Sequence, residues 1–143
     1  SYDLVEAVET KQDIKFEIDK KLINLENPLL SRNDQVLISL KDVIELVDYK
    51  LEVKENRRGT NIRLTRIKQD GDNEDTIKRL EMVVDDRKFI ETKDEVEHKL
   101  FKAPPTIERV NNSNEIYIPI NLLSSLTGGD MYWDTNEFRL YLK

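Results

Sequence analysis

Cysteine is absent from this chain of 143 residues, and histidine occurs once, as His98. The missing thiols exclude disulfide bonds and thiol chemistry, but they leave the cellular compartment open. A zinc or copper site needs several ligands of nitrogen or sulfur type at suitable spacing, and one histidine cannot supply them. We therefore expect no metal, no cofactor and no catalytic residues, and we predict that the protein is not an enzyme.

Long apolar runs and an excess of basic residues are also missing. No stretch approaches the roughly 18 apolar residues of a membrane-spanning helix, so we expect no membrane insertion. The chain has 29 acidic and 23 basic residues and a net charge of −6, which disfavours nucleic acid as a partner. No signal-peptide pattern begins at Ser1, as expected of a processed or a trimmed chain.

The chain is rich in alternation between apolar and polar residues, the pattern of a strand with one buried face. Between such segments the period changes twice. Leu40, Val43, Ile44 and Val47 follow helical spacing, with Ser39 as a predicted N-cap and Asp42 as its capping-box partner. A second short helix is predicted after Pro119, with a left-handed stop at Gly128-Gly129.

Two stretches, 34–66 and 114–142, show the same predicted succession of strand, helix, strand and strand. At an offset of 80 residues their apolar positions coincide more often than composition predicts, which indicates a diverged internal repeat. The final strands match at an offset of 76. The apolar pairs at the offset of 80 are Val36/Ile116, Leu37/Tyr117, Ile38/Ile118, Leu40/Ile120, Val43/Leu123, Leu46/Leu126, Leu51/Met131 and Val53/Trp133.

A polar, turn-rich segment at 69–76 separates the two copies. The predicted domains are a first module over residues 1–70 and a second module over residues 71–143. Units this small bury a modest share of their surface, so we expect them to pack on each other or to share sheet edges.

Several short motifs of the second module occur together. Pro104-Pro105 precedes a strand that ends in Ile118-Pro119-Ile120, and the predicted helix ends between Leu126 and Gly128. Trp133-Asp134 and a last strand from Phe138 to Leu142 follow. In these motifs the module resembles the copper amine oxidase N-terminal-like domain family, also called the stalk domain. The first module is similar more loosely, and the resemblance implies two tandem, diverged copies.

The resemblance implies an α+β fold in which each module is a small antiparallel sheet curled around one short helix. It also implies a non-catalytic structural or interaction module of an exported protein of Gram-positive bacteria. Such a module would be extracellular, at the cell surface or cell wall, with a protein or another cell-envelope component as partner. Copper chemistry is not implied, because the active site of an amine oxidase lies in other domains and needs several histidines.

Three tyrosines of the second module, Tyr117, Tyr132 and Tyr141, are predicted to point away from the helix and to share one sheet face. Three interpretations stay open. The first module or another part of an assembly covers the face, or the rings form a platform that binds cell-wall glycan or peptide, or they make ordinary cross-strand pairs. The corresponding residues of the first module are Leu37, Glu52 and Thr65.

Two other candidate sites are weaker. His98 has Glu97 and Lys99 as neighbours and is interpreted as a solvated surface residue. The acidic segment 70–75 is interpreted as a solvated linker, with calcium binding as the alternative. In a calcium loop glycine stands at the sixth position, whereas Gly71 is the second residue of this segment.

Overall fold

The computed structural model describes residues 14–32, 34–134 and 136–143, and within these ranges it contains thirteen β-strands and two short α-helices. The helices are α1 (Leu40–Leu46) and α2 (Leu122–Thr127). Among the residues so described, no helix has the length and apolar character needed to cross a membrane. The strands are β1 (Lys15–Ile18), β2 (Lys21–Ile23), β3 (Leu30–Arg32), β4 (Gln35–Ser39), β5 (Lys50–Asn56), β6 (Gly59–Asp70), β7 (Asn73–Val83), β8 (Lys88–Lys93), β9 (Val96–Phe101), β10 (Thr106–Val110), β11 (Ser113–Pro119), β12 (Met131–Asp134) and β13 (Arg139–Leu142).

The fold is mainly β, so the predicted α+β class is wrong. Strands hold 60% of the described residues and helices 10%, and the strands form three sheets. The alternation pattern did not indicate β8 and β9, because polar side chains lie on both faces of these strands. The two strands are nevertheless held by backbone pairing with their neighbours in the sheet, which depends little on which side chains are buried.

Each of the three sheets combines strands from both sides of residue 70. Sheet A has the order β12-β13-β1-β2, sheet B the order β10-β11-β4-β3, and sheet C the order β5-β6-β7-β8-β9. Neighbouring strands run antiparallel except β1 and β13, which are parallel. The sheets therefore do not follow the division into residues 1–70 and 71–143. That division into two domains stays a prediction.

The segment 69–76, predicted as a linker, lies at the tip of the β6–β7 hairpin. Strand pairing continues to Asp70 opposite Asn73, and Gly71 has a left-handed φ of 62° in the connecting two-residue turn. Glycine suits this position because a hairpin turn of this kind needs a positive φ at its first residue. The acidic residues of the segment therefore belong to a β-hairpin.

Three other hairpins turn on residue pairs that both have positive φ. These pairs are Asp19-Lys20 between β1 and β2, Asp94-Glu95 between β8 and β9, and Asn111-Asn112 between β10 and β11. This is the type I′ geometry, whose twist matches the twist of the flanking strands. Asparagine and aspartate tolerate it better than most residues, which explains their place at these turns.

The two predicted copies of the repeat meet in sheet B. β4 pairs with β11, and Ile38 lies directly opposite Ile118, its counterpart at the offset of 80. A local two-fold axis therefore passes between equivalent positions of the two stretches. The predicted succession of elements is confirmed in both, as β4-α1-β5-β6 and as β11-α2-β12-β13.

Both predicted helix signals are confirmed. The Ser39 Oγ accepts a hydrogen bond from the backbone N–H of Asp42 at 3.1 Å and so caps α1. The Asp42 carboxylate accepts hydrogen bonds from the backbone N–H groups of Glu26 and Asn27 at 2.9 and 3.1 Å, which ties this loop to the helix. α2 ends at Gly128, which has a left-handed φ of 78°.

One apolar core joins the three sheets and both helices. Phe16 of sheet A, Ile38 of sheet B and Leu80 of sheet C are buried in it together with Val43 of α1 and Leu123 of α2. Full burial of such a side chain contributes roughly 1.5–3 kcal/mol. The core therefore leaves the opposite faces of sheets A and C, here called their outer faces, free to carry other side chains.

Candidate functional site

Tyr117 does not share a face with the other two tyrosines, so the prediction of three tyrosines on one face is wrong. It lies in sheet B, is 0% exposed and packs with Leu37 and Val110 in a small second cluster. Its hydroxyl donates a hydrogen bond to the Pro28 carbonyl oxygen at 2.8 Å. Burial, with Asp42 as the next contributor, raises the pKa of Tyr117 to about 12. Tyr117 therefore serves the fold as a neutral, buried phenol.

Tyr132 and Tyr141 do come together, on the outer face of sheet A. They are direct cross-strand neighbours in β12 and β13. Their ring centroids are 5.2 Å apart and their ring planes differ by 21°, which is a stacked pair. Tyr132 is 44% exposed. Since β12 is an edge strand of the sheet, the pair lies at a rim of the molecule.

Two cations flank the stacked rings. The guanidinium carbon of Arg139 lies 4.9 Å from the centroid of Tyr141. The Lys143 Nζ lies 5.5 Å from the centroid of Tyr141 and 5.7 Å from that of Tyr132. Arg139, Tyr141 and Lys143 alternate along β13 and its end, so strand geometry places them on one face. We call Tyr132, Tyr141, Arg139 and Lys143 the tyrosine surface.

Carboxylates hold Arg139 in place. Its guanidinium nitrogens lie 3.2 Å from Glu17, 3.5 Å from Asp134 and 3.6 Å from Glu137. Burial alone would lower the pKa of the guanidinium, but the three carboxylates outweigh this effect and raise the pKa. Arg139 therefore reaches Tyr141 as a fixed cation rather than as a freely moving side chain.

The tyrosine surface continues across sheet A. Tyr141 is opposite Glu17 in β1, and Glu17 is opposite Leu22 in β2. Leu22 is 59% exposed. Four neighbouring strands span about 14 Å at the usual strand spacing. One row of side chains therefore crosses the sheet, with the tyrosines at one end, Glu17 in the middle and Leu22 at the other end. Its length is sufficient for contact with another protein.

The outer face of sheet C has a different character at the matching place. At the offset of 80, Tyr132 corresponds to Glu52, whose cross-strand partner is Arg63. The pairing therefore makes Arg63 the counterpart of Tyr141. The offset of 76 predicted Thr65 instead, which lies two residues further along β6. Arg63 lies 3.3 Å from Glu81 and 3.9 Å from Glu52, so three charged residues form a row across three strands.

A surface concavity of about 450 Å³ surrounds this charged row. Its lining consists of charged, amide and aliphatic side chains, and the positive and negative groups largely offset one another. It has the size of a small-ligand site but lacks convergent groups of one charge, which usually fix a ligand. The lining residues are Glu52, Lys54, Asn56, Arg58, Asn61, Ile62, Arg63, Glu81, Met82, Val83, Asp86, Lys88 and Ile90.

Two carboxylates are buried among the residues that the structure describes, Asp42 and Glu115, and both have structural partners. Asp42 is taken up by the cap of α1 and by the 26–27 loop. Glu115 is 7% exposed and accepts hydrogen bonds from the Lys41 Nζ at 3.1 Å and the Ser113 Oγ at 2.9 Å. These hydrogen bonds, with Lys41 first, lower the pKa of Glu115. A general acid needs a raised pKa, so this carboxyl has the opposite tuning.

His98 lies on the edge strand β9, opposite Glu91 of β8, and is exposed. Within the described ranges, no group of three or more histidine and acidic side chains is placed to hold a metal ion. The acidic tip of the β6–β7 hairpin is included in that statement.

Sequence reasoning found Tyr132 and Tyr141 but missed the residues that position them. Alternation along β13 was sufficient to add Arg139 and Lys143, because they stand two residues before and after Tyr141. Glu17 carried no such signal. It reaches Arg139 only through the parallel pairing of β1 with β13, which joins two ends of the chain.

Comparison with models of protein families, with curated proteins and with solved structures yields no match to this chain.

Proposed function

We propose that the protein is a non-catalytic interaction module that binds a protein partner through the tyrosine surface. The observation that carries this proposal is the exposed Tyr132, stacked on Tyr141 and flanked by Arg139 and Lys143. Tyrosine and arginine supply much of the binding energy at protein interfaces. The rings are already ordered by stacking, so they lose little conformational entropy when a partner binds.

A cell-wall glycan is the second candidate ligand, because sugars stack on flat aromatic faces. The stacking itself favours the protein partner. One face of Tyr141 lies against Tyr132, and Arg139 lies over the same ring system. Tyr141 therefore offers little free ring face to a sugar, whereas the hydroxyl groups and the flanking cations suit hydrogen bonds and ion pairs with a protein surface.

The non-catalytic part of this proposal is supported by the two buried carboxylates, because both accept hydrogen bonds that stabilise the fold. Asp42 and Glu115 are both engaged by structural donors. The location is supported by the resemblance to the stalk domain family alone. On that ground we propose that the module belongs to an exported bacterial protein and acts in the cell envelope.

The test is retention of the protein on purified Gram-positive cell envelopes, before and after protease has removed their surface proteins. We expect retention on untreated envelopes and its loss after protease. Tyr132→Ala should weaken retention at least about tenfold, the effect of losing an interface hot spot. Ile107→Ala is the control, since Ile107 is a 49% exposed apolar residue of β10 in sheet B and belongs neither to the tyrosine surface nor to β9.

Three results would contradict the proposal in different ways. Retention that survives protease identifies the glycan as the ligand. Equal effects of Tyr132→Ala and Ile107→Ala place the contact elsewhere. A protein that is not retained on either preparation acts as a spacer and not as a binding module.

A further inference from the structure

β9 is an edge of sheet C with an uncovered side. It pairs with β8 over its whole length, from Val96 to Phe101, without a bulge. Within the part of the chain that the structure describes, no strand pairs with its other side. Five of its six residues are exposed, and the sixth, Leu100, is half-buried. An edge of this length is a template for a further strand unless charge, proline or a bulge blocks it.

The free backbone groups of β9 can be assigned from its hairpin. The two-residue turn Asp94-Glu95 closes on the pair Lys93 and Val96. In a type I′ hairpin the closing pair exchanges hydrogen bonds, and alternate residues then point to opposite edges. The N–H and C=O groups of Glu97, Lys99 and Phe101 therefore point towards the uncovered side.

The side chains of β9 select one register for a second copy of the same strand. Residues directly opposite in a continued antiparallel sheet lie on the same face. A register centred on His98 places Glu97 opposite Lys99 of the second copy, and Lys99 opposite its Glu97. It also places Val96 opposite Leu100 twice. Registers centred on Glu97 or Lys99 instead place like charges opposite each other, which is unfavourable.

Neither Glu97 nor Lys99 has a competing ion-pair partner among the described residues of its own copy. Glu97 and Lys99 take part in no ion pair within residues 14–32, 34–134 and 136–143. β5, the other edge of sheet C, has the same spacing in Glu52 and Lys54. There Glu52 already lies 3.9 Å from Arg63, so its charge is engaged.

We propose that two copies of the chain pair antiparallel through β9, with His98 facing His98 across a two-fold axis, and so join two copies of sheet C into one sheet. Backbone hydrogen bonds of Glu97 and Lys99 and two cross-copy ion pairs hold the dimer. This proposal does not rest on the binding role of the tyrosine surface. A dimer would present two such surfaces, which increases avidity for a partner with repeated sites.

Charge reversal tests the pairing, with sedimentation equilibrium as the measurement. The unaltered protein should show a concentration-dependent dimer. Glu97→Lys places two pairs of lysines opposite each other, and Lys99→Glu two pairs of glutamates, so each should weaken dimerisation at least about tenfold. An equimolar mixture of the two variants should dimerise again, because lysines then meet glutamates. The double reversal in one chain should restore the homodimer.

Lys54→Glu is the matched control on the other edge of the sheet and should leave the dimer unchanged. A second measurement is amide hydrogen exchange at rising protein concentration. Protection should appear at Glu97 and Lys99, whereas the amides of His98 and Leu100 are paired with β8 at any concentration. A protein that stays monomeric overturns the proposal. So does a dimer that resists both β9 reversals, or one that Lys54→Glu disrupts.

Discussion

The outer faces of sheets A and C carry opposite chemistry on the same hairpin plan. In sheet A the cross-strand pair Tyr132 and Tyr141 stacks at 5.2 Å. In sheet C the matching cross-strand pair is Glu52 and Arg63, at 3.9 Å. Both hairpins present their apolar residues to the same core. The repeated backbone therefore sets the position of the cross-strand pair, and the side chains at that position decide whether the face is aromatic or charged.

The two faces also use arginine differently. Arg63 belongs to the row itself, between two carboxylates, and its side chain is 43% exposed. Arg139 stands beside the aromatic pair, has three carboxylates around it and is 28% exposed. On sheet C the ion pairs are the surface, whereas on sheet A they fix a cation that serves the tyrosine pair.

The largest effect should come from Gly129, which precedes β12 and lies against Lys143 at the open end of the β12–β13 hairpin. A Cβ at Gly129 would overlap with the Lys143 carbonyl oxygen, and that backbone cannot yield without breaking its pairing with Asp130. Gly129→Ala should therefore lower the free energy of unfolding by about 2 kcal/mol. It should also move Lys143 away from the tyrosine pair.

Gly71→Ala at the tip of the β6–β7 hairpin is the comparison for sheet C. A Cβ at Gly71 meets nothing within 4 Å, so only its positive φ opposes alanine. That strain costs about 1 kcal/mol. Urea unfolding of both variants measures the difference. A loss at Gly71 equal to or above that at Gly129 would show that the end of the chain does not hold sheet A together.

Replacing each arginine by methionine should rank the two faces next. Arg139→Met leaves Glu17, Asp134 and Glu137 close together without their shared cation. Arg63→Met leaves only Glu52 and Glu81, on a more exposed face. We expect the larger fall in thermal melting temperature for Arg139→Met. Added salt should make this fall smaller, because salt screens repulsion among the carboxylates.

Equal melting temperatures for the two variants at low salt would mean that the three carboxylates separate freely when Arg139 is lost. In that case Arg139 would not be a fixed cation. Lys54→Met, at an exposed position of β5, controls for the removal of one positive surface charge by the same residue.

Local physics explains what could be predicted of the fold. The caps at Ser39 and Gly128 follow from the backbone groups that a helix end leaves unpaired, and both are legible in a few residues. The repeated succession of strands and helices follows from periodicity. The α+β class failed because β8 and β9 have polar side chains on both faces, so alternation gives no signal for them and their strand character comes from hairpin pairing.

The same limit applies to the candidate site. Tyr132 and Tyr141 could be placed on one face by alternation within adjacent strands. Tyr117 obeys the same alternation but stands in sheet B, where the opposite face is also buried. Alternation states which residues share a face of one strand. It does not state which sheet the strand joins, and that depends on contacts between distant parts of the chain.

The smallest effect should come from transferring the aromatic pair to sheet C. Replacing Glu52 and Arg63 by tyrosine removes two surface ion pairs, each worth about 0–1 kcal/mol, and supplies an aromatic pair worth about 0.5–1.5 kcal/mol. The doubly substituted protein should therefore unfold in urea within about 1 kcal/mol of the unaltered one. The control replaces both residues by threonine, which keeps the strand propensity and supplies no rings.

The tyrosine variant should be more stable than the threonine variant, since only rings at cross-strand distance can stack. If the threonine variant is equally stable, the hairpin of sheet C does not hold its cross-strand pair as that of sheet A does. The two faces would then differ in backbone geometry as well as in side chains, and the tyrosine surface would owe its form to the strands of sheet A rather than to the repeated hairpin.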